Sequence, residues 1–126
     1  MGIRFIQISS IYFVIGVCMG LFMSISSNFK LTAVHVHVLL LGWTSMMIAG
    51  ILYYIFKEAG TSKLGKLHFW LLNIGLPIMM IALAFEIYGY HAAIPFVAGG
   101  SILVVLSIII FTINIFVHIK ENNSIL

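Results

Sequence analysis

The sequence predicts an all-α fold: a bundle of four transmembrane helices with both termini cytoplasmic. Three observations predict it. Hydrophobic residues make up 63% of the 126 positions and charged residues only 7%, where soluble domains carry about 25% charged residues. Four apolar stretches are each long enough to cross a hydrocarbon core, which takes about 20 residues of helix. The few basic residues fall mostly on one side of those stretches.

The spans run Phe5–Ile25, Leu31–Phe56, Leu67–Tyr88 and Ile94–Ile119, in a single domain covering 1–126. The first contains Gly16 and Gly20, a GxxxG pair of the kind that lets helix backbones approach closely. It also contains Cys18, the one cysteine, which excludes an intrachain disulfide and any multi-cysteine metal site. This span is longer than the apolar region of a cleaved secretory signal, so it is expected to be retained. The segment SSNFK leads into the second span, where His35 and His37 sit near the start. KEAGTSKLGK leads into the third. There Pro77 cannot donate to the carbonyl of Asn73, which predicts a kink and an inward face for Asn73. GYHAA leads into the fourth, with the small-residue patch Ala98, Gly99, Gly100 and Ser101.

Arg4, Lys57, Lys63, Lys66 and Lys120 lie on one side of the spans and Lys30 on the other. The positive-inside rule makes the first side cytoplasmic, in a multi-pass protein of the cell membrane. The net charge of +3 is thereby a topological signal and not a nucleic-acid footprint. His35, His37 and His91 then lie toward the outer face, with Glu86, Tyr88 and Tyr90 nearby. His68 and His118 lie near the cytoplasmic ends.

Ionisable groups are expensive inside a bilayer and usually face a partner, cofactor or cavity. His35 and His37 are two residues apart, about 200° around a regular helix, so one is expected to face inward and the other outward. Gly42, Ala49 and Gly50 follow on the face of His35, a surface that admits a flat macrocycle beside an imidazole. His37 is followed by the bulkier Leu40, Leu41 and Thr44. This favours His35 as the inward ligand. His68, beside Lys66 and Trp70, and His118, before Lys120, read as interfacial anchors. Glu86 either accepts a hydrogen bond from a ligating imidazole or reaches water. The methionines read as core filling, although thioethers with imidazoles also suit Cu(I).

The runs YFVIGVCMGLFMSI, HVHVLLLGWTSMMIAGILYY and LHFWLLNIGLPIMM resemble the opening helices of heme-copper oxidase subunit I, nitric oxide reductases and their relatives most closely. The pair within HVHVLLLGW also looks like that of small oxidase-like and nitric-oxide-response heme membrane proteins. The resemblance covers the first three spans and reaches the fourth by position only. It implies heme b, with His35 or His37 as one axial ligand and Gly42 beside the ring. The family's other heme and copper ligands lie beyond a fourth helix, so oxygen reduction by this chain alone is not implied. The second axial ligand is then His91, or the equivalent histidine of a second copy in a homodimer. Glu86 and Tyr90 would stand behind these ligands.

The implied function is electron transfer, from a quinol or a redox partner, or binding of a diatomic gas such as nitric oxide or oxygen. Two other classes stay open. One is a copper or zinc protein, with His35 or His37 converging on His91, Glu86 or a methionine. The other is a cofactor-free accessory or assembly subunit.

Overall fold

The structure, a computed structural model, describes residues 1–121. Among them every regular element is helical, and four helices are long and apolar enough to cross a membrane. Helix α1 spans Gly2–Ser26 and α2 spans Thr32–Ile55. A short helix α3, Lys57–Thr61, follows; α4 spans Lys63–Ile87 and α5 spans Ile94–His118. The ends differ from the hydropathic limits where local chemistry decides them. The Ser62 hydroxyl accepts the Gly65 N–H at 2.9 Å, so α4 starts at Lys63 and not at Leu67. Gly89, at φ +94°, turns the chain between α4 and α5, a conformation that glycine adopts without a steric penalty.

Neighbouring helices run antiparallel. Gly2, at the start of α1, lies against the backbone of Gly50 and Tyr54 near the end of α2. At the opposite end Lys30 Nζ sits 5.7 Å from the centroid of the Tyr88 ring, joining the first and third turns. Arg4, Lys57, Lys63, Lys66 and Lys120 therefore share one end, and Lys30, His35, His37, Glu86 and His91 the other.

Within α2 the stretch Val38–Ser45 is π-helical, with i→i+5 hydrogen bonds and wider turns than an α-helix. Its buried positions, Val38 and Gly42, continue a spacing of four that starts at Val34 and reaches Met46 on either side of it, a spacing that the wider turns hold on one face. Glycines close both hairpins. Gly42 receives the ring of Tyr12 from α1, and a Cβ there would lie 2.5 Å from that ring. In the α4–α5 pair, Gly75 and Gly100 bring backbone against backbone. Pro77 lies within the continuous α4, and the half-buried Asn73 returns its amide to the Phe69 carbonyl at 2.8 Å. The core is densest toward the basic end, where Phe5 meets Phe69 edge-on with ring centroids 5.1 Å apart. The outward faces of the long helices remain apolar and exposed, the surface that lipid covers.

Two adjacent glycines test this packing. A Cβ on Gly100 would lie 2.6 Å from the Met79 nitrogen, whereas one on Gly99 meets nothing within 4 Å. Gly100→Ala is expected to lose about 1–3 kcal/mol through overpacking. Gly99→Ala is expected to be neutral or to gain up to about 1 kcal/mol. Denaturant unfolding in detergent measures both; equal effects would contradict the α4–α5 seam.

Candidate functional site

The two histidines at the start of α2 separate as their spacing requires. His35 turns toward α1 and seats its ring over Gly20, the second glycine of the GxxxG pair; a Cβ on Gly20 would lie 3.0 Å from the imidazole Cε1. Its Nδ1 is buried without a hydrogen-bond partner. His37 is exposed on the outward side of α2, with Nδ1 2.7 Å from the carbonyl of Ala33 one turn earlier. A carbonyl only accepts, so the His37 proton resides on Nδ1 and the Nε2 lone pair points away from the helix. Gly42 lies on the α1-facing side, as the spacing from His35 implied, but the Tyr12 ring takes up its open space.

His91 opens a single 3₁₀ turn, His91–Ala93, and is exposed. Tyr90 is exposed beside Phe85, with ring centroids 5.7 Å apart. Glu86 is half-buried and makes no hydrogen bond to His35, His37 or His91. Among the described residues, no three His, Cys, Asp or Glu side chains are placed to share a metal ion.

The other notable group is at the basic end, and sequence reasoning missed it. His68 is 1% exposed, not interfacial. The earlier start of α4, set by Ser62, carries His68 into the second turn and under the helix ends. Its Nδ1 lies 2.9 Å from the Tyr53 hydroxyl. Asn114, fully buried on α5, donates to that hydroxyl at 3.0 Å and to the Ala59 carbonyl at 3.0 Å. The Ser62 hydroxyl stands 2.9 Å from Asn114 Oδ1 and 2.8 Å from the Ala59 carbonyl, with one proton to serve both. Asn114 donates to the Tyr53 oxygen, and His68 Nδ1 is the one acceptor within reach of the phenolic proton, so the tautomer that uses that proton leaves Nδ1 bare. The imidazole proton then sits on Nε2, which is buried without a hydrogen-bond partner. The ring is flanked by Phe5 and Phe111, each with its centroid 4.9 Å away. A buried asparagine within an apolar span was the available signal, since hydrocarbon demands a partner for every polar group.

The chain matches no protein-family model, no curated protein and no solved structure.

The buried cluster joins four helices through Asn114. Asn114→Ala is expected to cost about 2 kcal/mol, above the average of about 0.6 kcal/mol for one hydrogen bond inside a membrane protein, because three contacts vanish together. Thr112→Ala, which removes only an exposed bond to the Ile108 carbonyl, is expected to stay within about 0.5 kcal/mol. Unfolding of both variants in detergent decides it. Equal losses would show that the cluster is no special anchor.

Proposed function

We propose that this chain is a small b-type heme protein of the cell membrane, serving electron transfer or diatomic gas binding, with His37 as an axial ligand. One observation carries the reading: the His37 Nδ1–H donates to the Ala33 carbonyl while the ring itself is exposed. A ligating histidine almost always donates its second ring N–H to a carbonyl or carboxylate, which fixes the tautomer and raises the basicity of the free nitrogen. His35 lacks that support, because its Nδ1 has no acceptor and its ring fills the space over Gly20. The reading thus prefers His37 to His35, and gives Gly42 a role in the α1–α2 seam.

No second histidine of the same chain packs against His37. Its neighbours on the outward stripe, Val36, Leu40 and Thr44, are exposed. A second copy meeting this stripe across a twofold axis would present an identical imidazole, and twofold dimers are the commonest oligomers. Heme supplies one-electron chemistry, or an iron position open to a gas when only one axial ligand is filled. The chain's part is to hold the imidazole in one tautomer and to exclude water with apolar neighbours. A quinol or a redox partner would supply electrons. The clustering of five basic side chains at the other end supports a cytoplasmic placement of both termini.

A second reading, a cofactor-free accessory subunit, is favoured by the tight glycine seams and by the use of His35 as packing.

The reduced-minus-oxidised visible spectrum of protein purified from heme-replete cells separates the two. The expected outcome is a b-type band with half a heme per chain, lost in His37→Ala and kept in His35→Ala. A colourless wild-type protein would overturn the heme reading in favour of the accessory one. For topology, a fluorescent reporter that folds only in the cytoplasm is expected to light up when fused at the C-terminus; a dark fusion would invert the orientation.

A further inference from the structure

The basic end carries an open cavity that borders the buried cluster at Tyr53 and lies at the opposite end from His35 and His37. Its volume is about 630 Å³, and it lies between the first two turns of α1 and the α2–α3 junction. Arg4 and Gln7 line it from α1, Tyr54 from α2, and Lys57 and Thr61 from α3. Two cations from different elements thus face one space, and no carboxylate lines it. The first turn of α1 contains no acidic residue. Neither Arg4 nor Lys57 has a side-chain ion pair or hydrogen bond among the described residues. The Thr61 hydroxyl is already committed to the Lys57 carbonyl at 2.9 Å.

Topology alone asks only for basic residues somewhere on this side. It does not ask two unpaired cationic side chains from different elements to line one cavity, an arrangement that an anion between them would favour. The height of the cavity narrows the anion. It opens where the apolar spans end, beside the exposed Tyr54 and Ile55, the level at which a bilayer places its phosphates. On the cytoplasmic placement proposed above, this is the leaflet in which anionic lipids concentrate, and basic pockets between helix ends take their headgroups.

We propose that this cavity binds the phosphate of an anionic phospholipid headgroup. Arg4 contributes a planar fork that matches two phosphate oxygens, and Lys57 contributes a point charge from the facing element. The acyl chains lie along the exposed apolar surface of α1 and α2. The site is independent of the heme reading and sits at the opposite end of the helices.

Native mass spectrometry of the full chain in detergent, titrated with phosphatidylglycerol or phosphatidylcholine of identical acyl chains, tests the proposal. One phosphatidylglycerol per chain is expected to bind at least several-fold more tightly than phosphatidylcholine. The double variant R4Q/K57Q is expected to weaken phosphatidylglycerol binding by about 30-fold, since each cation near an anionic headgroup contributes roughly a factor of 5. The control K63Q/K66Q removes equal charge at the same end without touching the cavity lining, and is expected to retain the lipid. Equal binding of the two lipids by the wild-type chain would overturn the proposal, whatever the variants do. An equal loss in both double variants would also overturn it, by showing general charge attraction. Displacement of phosphatidylglycerol by millimolar inorganic phosphate would assign the cavity to the free anion and overturn the lipid assignment.

Discussion

Asn114 is the constraint on which the bundle's geometry depends. A bilayer interior offers no water, so each polar group carried into it must find a partner in the protein or cost several kcal/mol. Asn114 has a donor and an acceptor to satisfy, and it finds Tyr53 on α2, Ala59 on α3 and Ser62 at the cap of α4. These partners lie close together in the chain but 52 to 61 residues from Asn114, so meeting all three fixes α5 against the junction of α2, α3 and α4. Apolar packing is more permissive, because any lipid-like surface suits another. The directional bonds of a single asparagine thus set the register that hydrophobic contact leaves loose.

The same cluster explains the difference between the two ends. At the basic end, Phe5, His68, Phe69 and Phe111 pack around it in mutual ring contact. Nearer the histidine end, an apolar groove of about 480 Å³ opens between α1, α2 and α4, lined by residues such as Val34, Val38, Met80 and Ala84. Glycine seams hold each hairpin together there, and among the described residues no hydrogen bond ties one hairpin to the other at that end, where Lys30 over the Tyr88 ring is the cross-contact. One end is pinned, and the other leaves room for rearrangement or for a partner.

The spans were legible in the sequence because hydropathy over a bilayer's thickness is a sum over many residues, which single exceptions barely change. Individual decisions were less legible. The start of α4 depended on one hydroxyl, Ser62, and a hydropathic limit at Leu67 cannot register a cap. Misplacing that start by one turn made His68 look interfacial when it is buried. The π-helical stretch from Val38 to Ser45 has no recognised sequence signal, so α2 was read as regular. Gly42 reads in the sequence as room for the edge of a macrocycle, whereas in the structure a side chain from α1 lies over it. Which ring would fill it depended on the register of α1 against α2, and Tyr12 is the ring that does. For the histidine pair, spacing showed that the two rings must diverge. Only coordinates reveal that His37 bonds back to Ala33.

That backbone bond bears directly on the proposed heme site at the histidine end. Donating to Ala33 satisfies one nitrogen of His37 and leaves the other as a bare acceptor on an exposed stripe, between the apolar Val36 and Leu40. Near the end of a span, the headgroup region can satisfy such an acceptor with water, so the arrangement is tolerable in a lone chain. It is not neutral, because a histidine held in one tautomer has lost the freedom to choose its partner. Among polar side chains, asparagine or serine would meet a watery headgroup equally well without that restriction. An imidazole fixed with Nε2 outward suits a Lewis acid better than it suits water, and the flanking Val36 and Leu40 favour an apolar body around that acid. A metal held within a flat hydrophobic macrocycle meets both conditions, and a second copy of the stripe would cover its other face.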